Sequence, residues 1–365
     1  MKGLNVLSYC DGMSCGQIAL SELGFEVENY YASEIKESAI KVTKRNFPNT
    51  KYIGDLTKLS DEYLVSLGEI DLFISGTPCK NLSGANKERL GLKGEHSKLF
   101  YNFAHALNIV KPKYFFFENV RMTKEDEDII TSILGVKPVK VNSKIKVASL
   151  RERLYWTNIP FKGDLSDIEI DLQDILECGW TDRKKARCLL ESDSRPLSTP
   201  VKMFHRHYST GFTTAIFLSE DHYRKCVEHY ENNFKGLSAS EIFYNGDVYD
   251  GIRYLTTHER EILQGVPIGY TSILTPNESA GVLGDGWTID IVKEFLKGLY
   301  WFNRRWLLLQ LLVYLKFHQS VINLKNRVDF VLALSYYVRK KQHFVVTKNL
   351  TGYLGYVIKE CSNGL

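Results

Sequence analysis

Short continuous runs of apolar residues alternate with longer amphipathic segments along the first 160 residues. The predicted strands lie at residues 4–9, 27–32, 51–53, 72–75 and 113–117, and those at 4–9, 72–75 and 113–117 are the most apolar. Continuous runs of this length are typical of parallel strands that are buried on both faces of a sheet, and the amphipathic segments between them predict helices. The pattern therefore predicts an α/β fold with a mostly parallel sheet.

This alternation fades after residue 160, which predicts a division of the chain into four segments. Residues 1–160 would form the first part of the α/β domain, and residues 161–250 a smaller, mixed and polar region. Residues 251–303 would return to the α/β domain, with a helix capped at Thr256 or Thr257. Residues 304–365 would be an extension whose role the sequence does not define.

Charge is distributed unevenly between these segments. Residues 304–365 contain ten Lys or Arg and two acidic residues, a balance of +8. Because the whole chain carries +4, residues 1–303 carry −4. The main body is therefore not a generally basic nucleic-acid binder, and any contact with a nucleic acid must come from a local patch.

The cysteines and the apolar runs indicate a reduced, intracellular setting. The seven cysteines include no Cys-x-x-Cys pair, which argues against a disulfide framework and against a zinc site. The longest apolar runs are too short to span a bilayer, and Met1 is followed almost at once by a predicted strand instead of a signal peptide. We expect a cytoplasmic protein that has no metal site and no membrane partner.

Polar side chains follow each of the first three predicted strands. Asp11 opens a glycine turn that could approach a ligand or be an ordinary connection between strand and helix. Glu34 lies at the end of the second strand, where open α/β folds bind ribose hydroxyls. Asp55 follows the third strand and could accept the exocyclic amine of an adenine or cap the next helix.

The next two strands lead to a cysteine and a glutamate. Pro78 has a fixed φ and keeps Thr77 out of the helical region, so a stiff loop would present the Cys79 thiol. Glu118 follows three phenylalanines, and the expected partial desolvation suits it to holding a proton near neutral pH. Since ligand sites of such sheets lie at strand ends, we expect Cys79 and Glu118 to face one another across one pocket.

Two arginines follow at residues 151 and 153. Their spacing of two is strand-like, so both side chains would project to the same face. Arg151 and Arg153 could then contribute to the pocket, or they could lie on a solvated strand edge.

These residues together carry a family resemblance. The stretch Asp71–Ser83 reads Asp-x-Phe-x-x-Gly-x-Pro-Cys-x-x-Leu-Ser, which resembles the catalytic signature of the DNA cytosine-5 methyltransferases. The glycine turn, Glu34, Asp55, Glu118-Asn119, the two arginines and the late Gly-Asp-Gly-Trp also resemble motifs of that family, in the expected order. The likeness is strongest to the animal de novo enzymes, but the chain has no room for their chromatin-reading domains. We therefore expect a bacterial or bacteriophage member.

The resemblance implies a Rossmann-like fold that uses S-adenosylmethionine to methylate a flipped-out cytosine. Cys79 would add to C6, Glu118 would hydrogen-bond or protonate N3, and Arg153 would favour the thiolate and contact the base. Asn119 would order the loop around Glu118, and Arg151 would complete the catalytic set. The implied cofactor-binding residues are Asp11, Met13, Cys15, Glu34, Ile35, Asp55, Leu56, Gly76, Leu99 and Trp287.

Two positions depart from the family pattern. Cys10 replaces an aromatic residue before the glycine turn, which would weaken stacking beneath the cofactor. Ser149 stands where many relatives have Gln before the two arginines. Neither change removes a chemical group that the reaction requires.

The segment at residues 195–217 is the candidate for target recognition on double-stranded DNA. It interleaves cations that suit phosphates with aromatic and hydroxyl groups that suit base edges. A solvated basic strand pair is the alternative interpretation. The predicted DNA-binding residues are Lys202, His205, Arg206, His207 and Tyr208.

Three functions are compatible with these features. The first is a DNA cytosine-5 methyltransferase that protects DNA from restriction, with a partner restriction enzyme that the sequence would not reveal. The second keeps the chemistry but acts on RNA, as does the transfer-RNA branch of the same superfamily. The third is a catalytically silent DNA-binding relative, which would be expected to lack the cysteine or the glutamate.

Overall fold

Each of the five strands predicted in residues 1–117 forms in the computed structural model, which describes residues 3–78, 82, 90–94, 98–189 and 199–299. The strands are β1 Leu4–Tyr9, β2 Val27–Ser33, β3 Lys51–Tyr52, β4 Leu72–Ser75, β5 Tyr114–Val120, β6 Val139–Asn142, β7 Glu152–Thr157, β8 Ala215–Ile216 and β9 Arg253–Tyr254. The helices are α1 Cys15–Glu22, α2 Glu37–Asn46, α3 Asp61–Ser66, α4 Leu99–Val110, α5 Lys124–Leu134, α6 Pro200–Tyr208, α7 Glu220–Asn233, α8 Thr257–Gln264 and α9 Pro276–Asp285. Residues 289–299 are helical as well.

Strands β1 to β7 form one sheet in the order β3-β2-β1-β4-β5-β7-β6. The pairs from β3 to β5 are parallel, whereas β7 is antiparallel to both β5 and β6. The predicted α/β fold with a mostly parallel sheet is confirmed. The chain leaves β1 in one direction for β2 and β3 and returns to its other side for β4, so strand order reverses between β1 and β4. Open α/β sheets bind ligands at such a point, beyond the carboxyl ends of the strands.

Strand β5 is longer than the sequence indicated. Glu118 and Asn119 lie inside the strand instead of after it, because β7 pairs with them through Tyr155 and Leu154. The parallel neighbour β4 pairs with β5 only as far as Phe117. Glu118 is therefore supported by the sheet on one side and lies past the end of β4 on the other.

Alternate residues of the central strands pack into two separate cores. Leu72, Ile74 and Phe116 belong to the core on one face, together with the segment at residues 287–299. Phe73 and Phe117 belong to the core on the other face, which α4 and α5 cover. Both cores are apolar because the side chains of a strand alternate between the two faces of its sheet.

A third, aromatic core lies within residues 201–252. Phe204, Phe217, Tyr230 and Tyr249 are buried there between α6, α7 and the small sheet β8–β9. The segment boundaries expected from the sequence stay predictions, and the extension at residues 304–365 lies outside the described residues. In the part of the chain that the structure describes, no helix combines the length and the apolar character that crossing a bilayer requires.

Helix α8 begins with the predicted cap. The Thr256 side chain accepts from the Glu259 N–H, and the Glu259 carboxylate accepts from the Thr256 N–H at 2.8 Å. The same carboxylate accepts two hydrogen bonds from the Arg253 guanidinium, both at 2.8 Å, and one from the Glu177 N–H at 2.9 Å. Glu259 is completely buried, so it ties the return to the α/β domain to residues 177 and 253.

Replacing Glu259 with Gln is expected to lower the free energy of unfolding by about 3 kcal/mol, because it leaves the Arg253 guanidinium without its counter-ion. Urea unfolding followed by circular dichroism measures the loss. The control is Glu220→Gln, which breaks the exposed Glu220–Arg224 pair on α7 and should cost less than about 0.5 kcal/mol. Equal losses in the two variants would contradict a stabilising role for the buried pair.

Candidate active site

The Asp11 carboxylate, in the turn after β1, is engaged by neighbouring hydroxyl groups. The Asp11 carboxylate accepts from the hydroxyls of Ser8 at 2.6 Å and Tyr30 at 2.7 Å, and also from the Ser14 hydroxyl. Burial raises the pKa of Asp11 to about 6, although these hydrogen bonds oppose the rise. The side chain of Asp11 is therefore committed to shaping the turn, and any contact of this residue with a ligand would come from its backbone.

Glu34 connects the end of β2 to this turn. Its Oε2 accepts from the Gly12 N–H at 2.7 Å, and its Oε1 accepts from the N–H groups of Ile35 at 2.7 Å and Lys36 at 2.8 Å. Three backbone donors thus fix the carboxylate at the edge of the sheet. Ile35 beside it is 72% exposed, which is unusual for an isoleucine and places an apolar surface next to an acceptor group.

Asp55 follows β3 and caps the 3₁₀ turn Leu56–Lys58. It accepts from the N–H and the hydroxyl of Thr57 at 2.9 and 2.8 Å, and these bonds lower the pKa of the carboxyl. The capping alternative is therefore observed, although a carboxylate has further lone pairs with which to accept from a ligand.

The members of the predicted cofactor-binding set differ in how far they are exposed to solvent. Ile35 and the Glu34 and Asp55 carboxylates are at least partly exposed, as are Gly76 and Leu99, whereas other members are buried. No Cβ contact restricts Gly12, whose φ is +57° and whose turn is open on that side. An exposed apolar side chain, two carboxylates and an open glycine turn fit a ligand with an adenine ring and a ribose. The buried members are Asp11, Met13, Cys15, Leu56 and Trp287.

Glu118 is held from two sides. Its Oε1 lies 3.0 Å from the Arg153 Nε, and its Oε2 accepts from the Trp287 indole Nε1 at 2.9 Å. Glu118 is 7% exposed. A buried carboxylate is stable only with such partners, so both oxygens have fixed orientations.

Arg151 supports the segment that carries Trp287. Its guanidinium donates to the carbonyl oxygens of Gly284 at 3.2 Å and Gly286 at 2.7 Å. The Trp287 N–H in turn donates to the Cys15 sulfur at 3.3 Å. In the described structure Arg151 thus holds the backbone of residues 284–287 in place, while Arg153 contacts Glu118 directly.

A cysteine that the sequence did not single out lies beside both arginines. The Cys188 sulfur is 3.5 Å from the Arg151 Nη1 and 3.9 Å from the Arg153 Nη2, so the two guanidiniums do reach the same place. Burial alone would raise the pKa of Cys188, but the two positive charges outweigh burial and lower it. Residue spacing gave no signal for this contact, because it joins positions that are 35 and 37 apart.

Asn119 connects β5 to the segment that leads to Cys79. Its Nδ2 donates to the Thr77 carbonyl at 3.1 Å and to the Thr77 hydroxyl at 3.2 Å, while its Oδ1 accepts from the Val120 N–H at 2.8 Å. The position of Thr77 is thus fixed two residues before the expected nucleophile. Cys79 itself lies outside the described residues.

The structure corrects the assignment of the DNA-reading residues. Residues 200–208 form helix α6, not a loop or a strand pair. His205 and His207 are only 8% and 1% exposed, because the apolar face of α6 packs into the aromatic core. His205 Nδ1 lies 2.6 Å from the Tyr230 hydroxyl. These two histidines therefore hold the region together and cannot contact base edges in this arrangement.

The other members of that set are closer to the surface. The Tyr208 hydroxyl donates to Glu231 at 2.9 Å, and the Lys202 ammonium lies 5.5 Å from the centre of the Phe243 ring. Arg206 is half-buried. Lys202, Arg206 and Tyr208 remain predictions as DNA-contacting residues.

The buried His207 should make stability depend on pH. Its Nδ1 accepts from the Ala215 N–H at 3.0 Å and its Nε2 lies 2.9 Å from Asp182, so the neutral ring with a proton on Nε2 satisfies both contacts. Burial lowers the pKa of His207, and Asp182 offsets this only in part. As the pH falls below about 6.5, the unfolded chain takes up this proton before the folded chain does, and the free energy of unfolding should decrease.

Urea unfolding between pH 8 and pH 5 tests this expectation on the wild type and on His207→Gln, which does not titrate. The variant should show a flatter dependence on pH over this range. Parallel curves for the wild type and His207→Gln would contradict the prediction.

The seven-stranded, mostly parallel sheet is an α/β fold that solved methyltransferase structures share. A DNMT2 mutant from Spodoptera frugiperda has a TM-score of 0.61 at 18% identity, over 82% of this chain and 100% of that one. The methyltransferase EhMeth from Entamoeba histolytica has a TM-score of 0.57 at 16% identity, over 82% and 98% of the two chains. These similarities concern the fold.

Sequence comparison supports the family resemblance. Residues 1–134 match the family model for C-5 cytosine-specific DNA methylase, which confirms the resemblance over that part of the chain. The orphan methyltransferase M.Rho11sI of Bacillus phage rho11s is 26% identical over 310 residues, which are 78% of this chain and 59% of that protein. The DNA (cytosine-5)-methyltransferase DRM1 of Arabidopsis thaliana is 34% identical over 122 residues, 30% and 20% of the two chains. The chain thus spans less than two thirds of the length of these relatives.

The cofactor follows from the family. C-5 cytosine methyltransferases use S-adenosylmethionine, and the expected cofactor is confirmed at this level. Among the described residues, no group of three or more His, Cys, Asp or Glu side chains is placed to hold a metal ion.

Proposed function

We propose that this protein is a DNA cytosine-5 methyltransferase that acts on a short double-stranded site. The observation that carries the proposal is Glu118, whose two carboxyl oxygens are held by Arg153 and Trp287. The next residue of the strand, Asn119, fixes Thr77 in the segment that leads to Cys79. A carboxyl group with this support can hydrogen-bond N3 of a cytosine while a neighbouring thiolate attacks C6. The names of the curated relatives, which include plant DNA (cytosine-5)-methyltransferases and a phage methyltransferase, support DNA as the substrate.

The chemistry requires a nucleophile, an activated base and a methyl donor. The Cys79 thiolate would form a bond to C6, and electron density from the C5–C6 double bond would make C5 nucleophilic. Bound S-adenosylmethionine supplies an electrophilic methyl group. After C5 is methylated, loss of the C5 proton and of the thiolate would restore the aromatic ring and free the enzyme. The cytosine must leave the helix, because C6 is inaccessible within the base stack.

This chain's own residues would bind and orient both ligands. Glu34, Ile35 and Asp55 at the ends of β2 and β3 would hold the adenosine part of the methyl donor. Arg153 would position Glu118 and contact the base, while Asn119 would fix the segment before Cys79. A role in protecting phage or bacterial DNA from restriction, in the cytoplasm of the bacterial or infected cell, fits the phage relative.

RNA is the alternative substrate, and a direct comparison separates the two. The purified chain would be incubated with tritium-labelled S-adenosylmethionine and either unmethylated DNA or unmodified transfer RNA. Label in DNA, located at one short site by bisulfite sequencing, supports the proposal. Label only in transfer RNA would overturn the choice of substrate but keep the chemistry. No label in either, from a folded chain, would favour a silent relative.

A further inference from the structure

The contact between Trp287 and Glu118 joins two residues that are 169 positions apart. The indole Nε1 donates to the Glu118 Oε2 at 2.9 Å, and both side chains are at least nine-tenths buried. We propose that Trp287 is a positioning residue for Glu118, and that its indole N–H fixes the plane in which the carboxyl group meets the base. This inference rests on the proposed function of Glu118.

The physical reason is that an indole nitrogen can only donate. Oε2 therefore acts as the acceptor in this contact. The Arg153 Nε, which also can only donate, lies 3.0 Å from Oε1. The two donors together fix the plane of the carboxyl group, and loss of the indole N–H would leave that group held by Arg153 on one side.

The indole is itself fixed from several directions. A Cβ on Gly76 would lie 2.6 Å from the Trp287 Nε1, so glycine at this position lets the indole pack against the strand end that leads to Cys79. Phe116 contacts the indole edge-on, with ring centres 5.4 Å apart. Arg151 and Cys15 hold the backbone around Trp287, as described above. This rigidity is what a positioning group requires.

A purely structural role for Trp287 makes a different prediction. Its indole fills part of the core, and loss of that packing would destabilise the fold without a specific effect on the reaction. Trp156 provides the matched control: it is fully buried, and its Nε1 donates to the Thr131 hydroxyl at 3.0 Å, on the other face of the sheet. Trp287→Phe and Trp156→Phe therefore each remove one buried indole N–H bond and keep an aromatic ring.

The experiment is a double-mutant cycle between Trp287→Phe and Glu118→Gln, measured in single turnovers on a nucleic acid that the wild type methylates. Trp287→Phe should lower the methyl-transfer rate about 10–100-fold, the effect expected for losing a hydrogen bond to a charged group. Trp156→Phe should change it less than about twofold. In the Glu118→Gln background, Trp287→Phe should have little further effect, because the group through which it acts has already been altered.

Several outcomes would overturn the proposal. One is a rate loss for Trp287→Phe that is equally large in the Glu118→Gln background. Another is an equal loss in Trp156→Phe, which would indicate a general effect on the core. A third is a loss that appears only as weaker binding of S-adenosylhomocysteine, measured by calorimetry. A wild-type chain that methylates RNA instead of DNA would overturn the proposed substrate and leave the cycle measurable; one that methylates neither would overturn both proposals.

Discussion

Replacing Cys79 with Ser is expected to abolish methyl transfer, with a fall in rate of about 10⁴-fold or more. A hydroxyl is almost entirely protonated near neutral pH, whereas a cysteine thiol has an accessible and strongly nucleophilic thiolate. Without an attack on C6, C5 does not become nucleophilic and the methyl group has no acceptor. Incorporation of tritium from labelled S-adenosylmethionine into the substrate measures the loss.

The same variant also tests whether the intermediate is covalent. A substrate with fluorine in place of hydrogen at C5 cannot lose that atom as a proton, so the wild type should stay attached to it after methyl transfer. A denaturing gel should show this adduct for the wild type and for Cys178→Ser, which removes an exposed thiol, but not for Cys79→Ser. An adduct that persists in Cys79→Ser would show that another residue is the nucleophile.

The sheet could be predicted from the sequence because its central strands are buried on both faces. Such strands appear as continuous apolar runs, and β1, β4 and the first part of β5 are of this kind. The polar residues after the runs lie at the sheet edge for the same reason, since consecutive parallel strands end on one side. Glu34 and Glu118 could therefore be selected as candidate site residues from local sequence alone.

The contacts that organise the site could not be predicted in this way. Trp287 meets Glu118 only because the segment after α9 folds back across the sheet. The role of Arg151 could not be predicted either. Its partners are the backbone carbonyl groups of Gly284 and Gly286, and every residue type has such a group. The extension of β5 through Glu118 depends on pairing with β7, which is also a long-range event.

Helix α6 shows a different kind of failure. The prediction of a DNA-reading loop rested on the chemistry of the cations and aromatic residues and not on their spacing. Val201, Phe204, His205 and Tyr208 recur at intervals of three, one and three, which is the period of one helix face. Pro200 at the first helical position was a second signal. A histidine on such a face is a core residue, and the burial of His205 follows from that spacing.

Glu118→Gln should lower the rate of methyl transfer about 10²–10⁴-fold, the range associated with loss of a general acid or base. An amide can neither take up nor release a proton near neutral pH. It also presents one donor group where the carboxylate had two acceptors, so its nitrogen must oppose either the Arg153 guanidinium or the Trp287 N–H. The rate loss should appear in single-turnover measurements. Binding of S-adenosylhomocysteine should stay within about threefold of the wild type, which is less than about 1 kcal/mol, because Glu118 is not among the residues assigned to the cofactor.

The control for Glu118→Gln makes the same chemical change one residue from Arg153. Glu152 lies on β7, is partly exposed, and is 4.0 Å from the Arg121 guanidinium, so Glu152→Gln should reduce the rate by less than about twofold. Loss of activity in both variants would indicate that this part of the sheet, β5 and β7, is generally sensitive to loss of a negative charge. Normal activity in Glu118→Gln would mean that a hydrogen bond from a neutral amide suffices at N3, and that the proton does not come from residue 118.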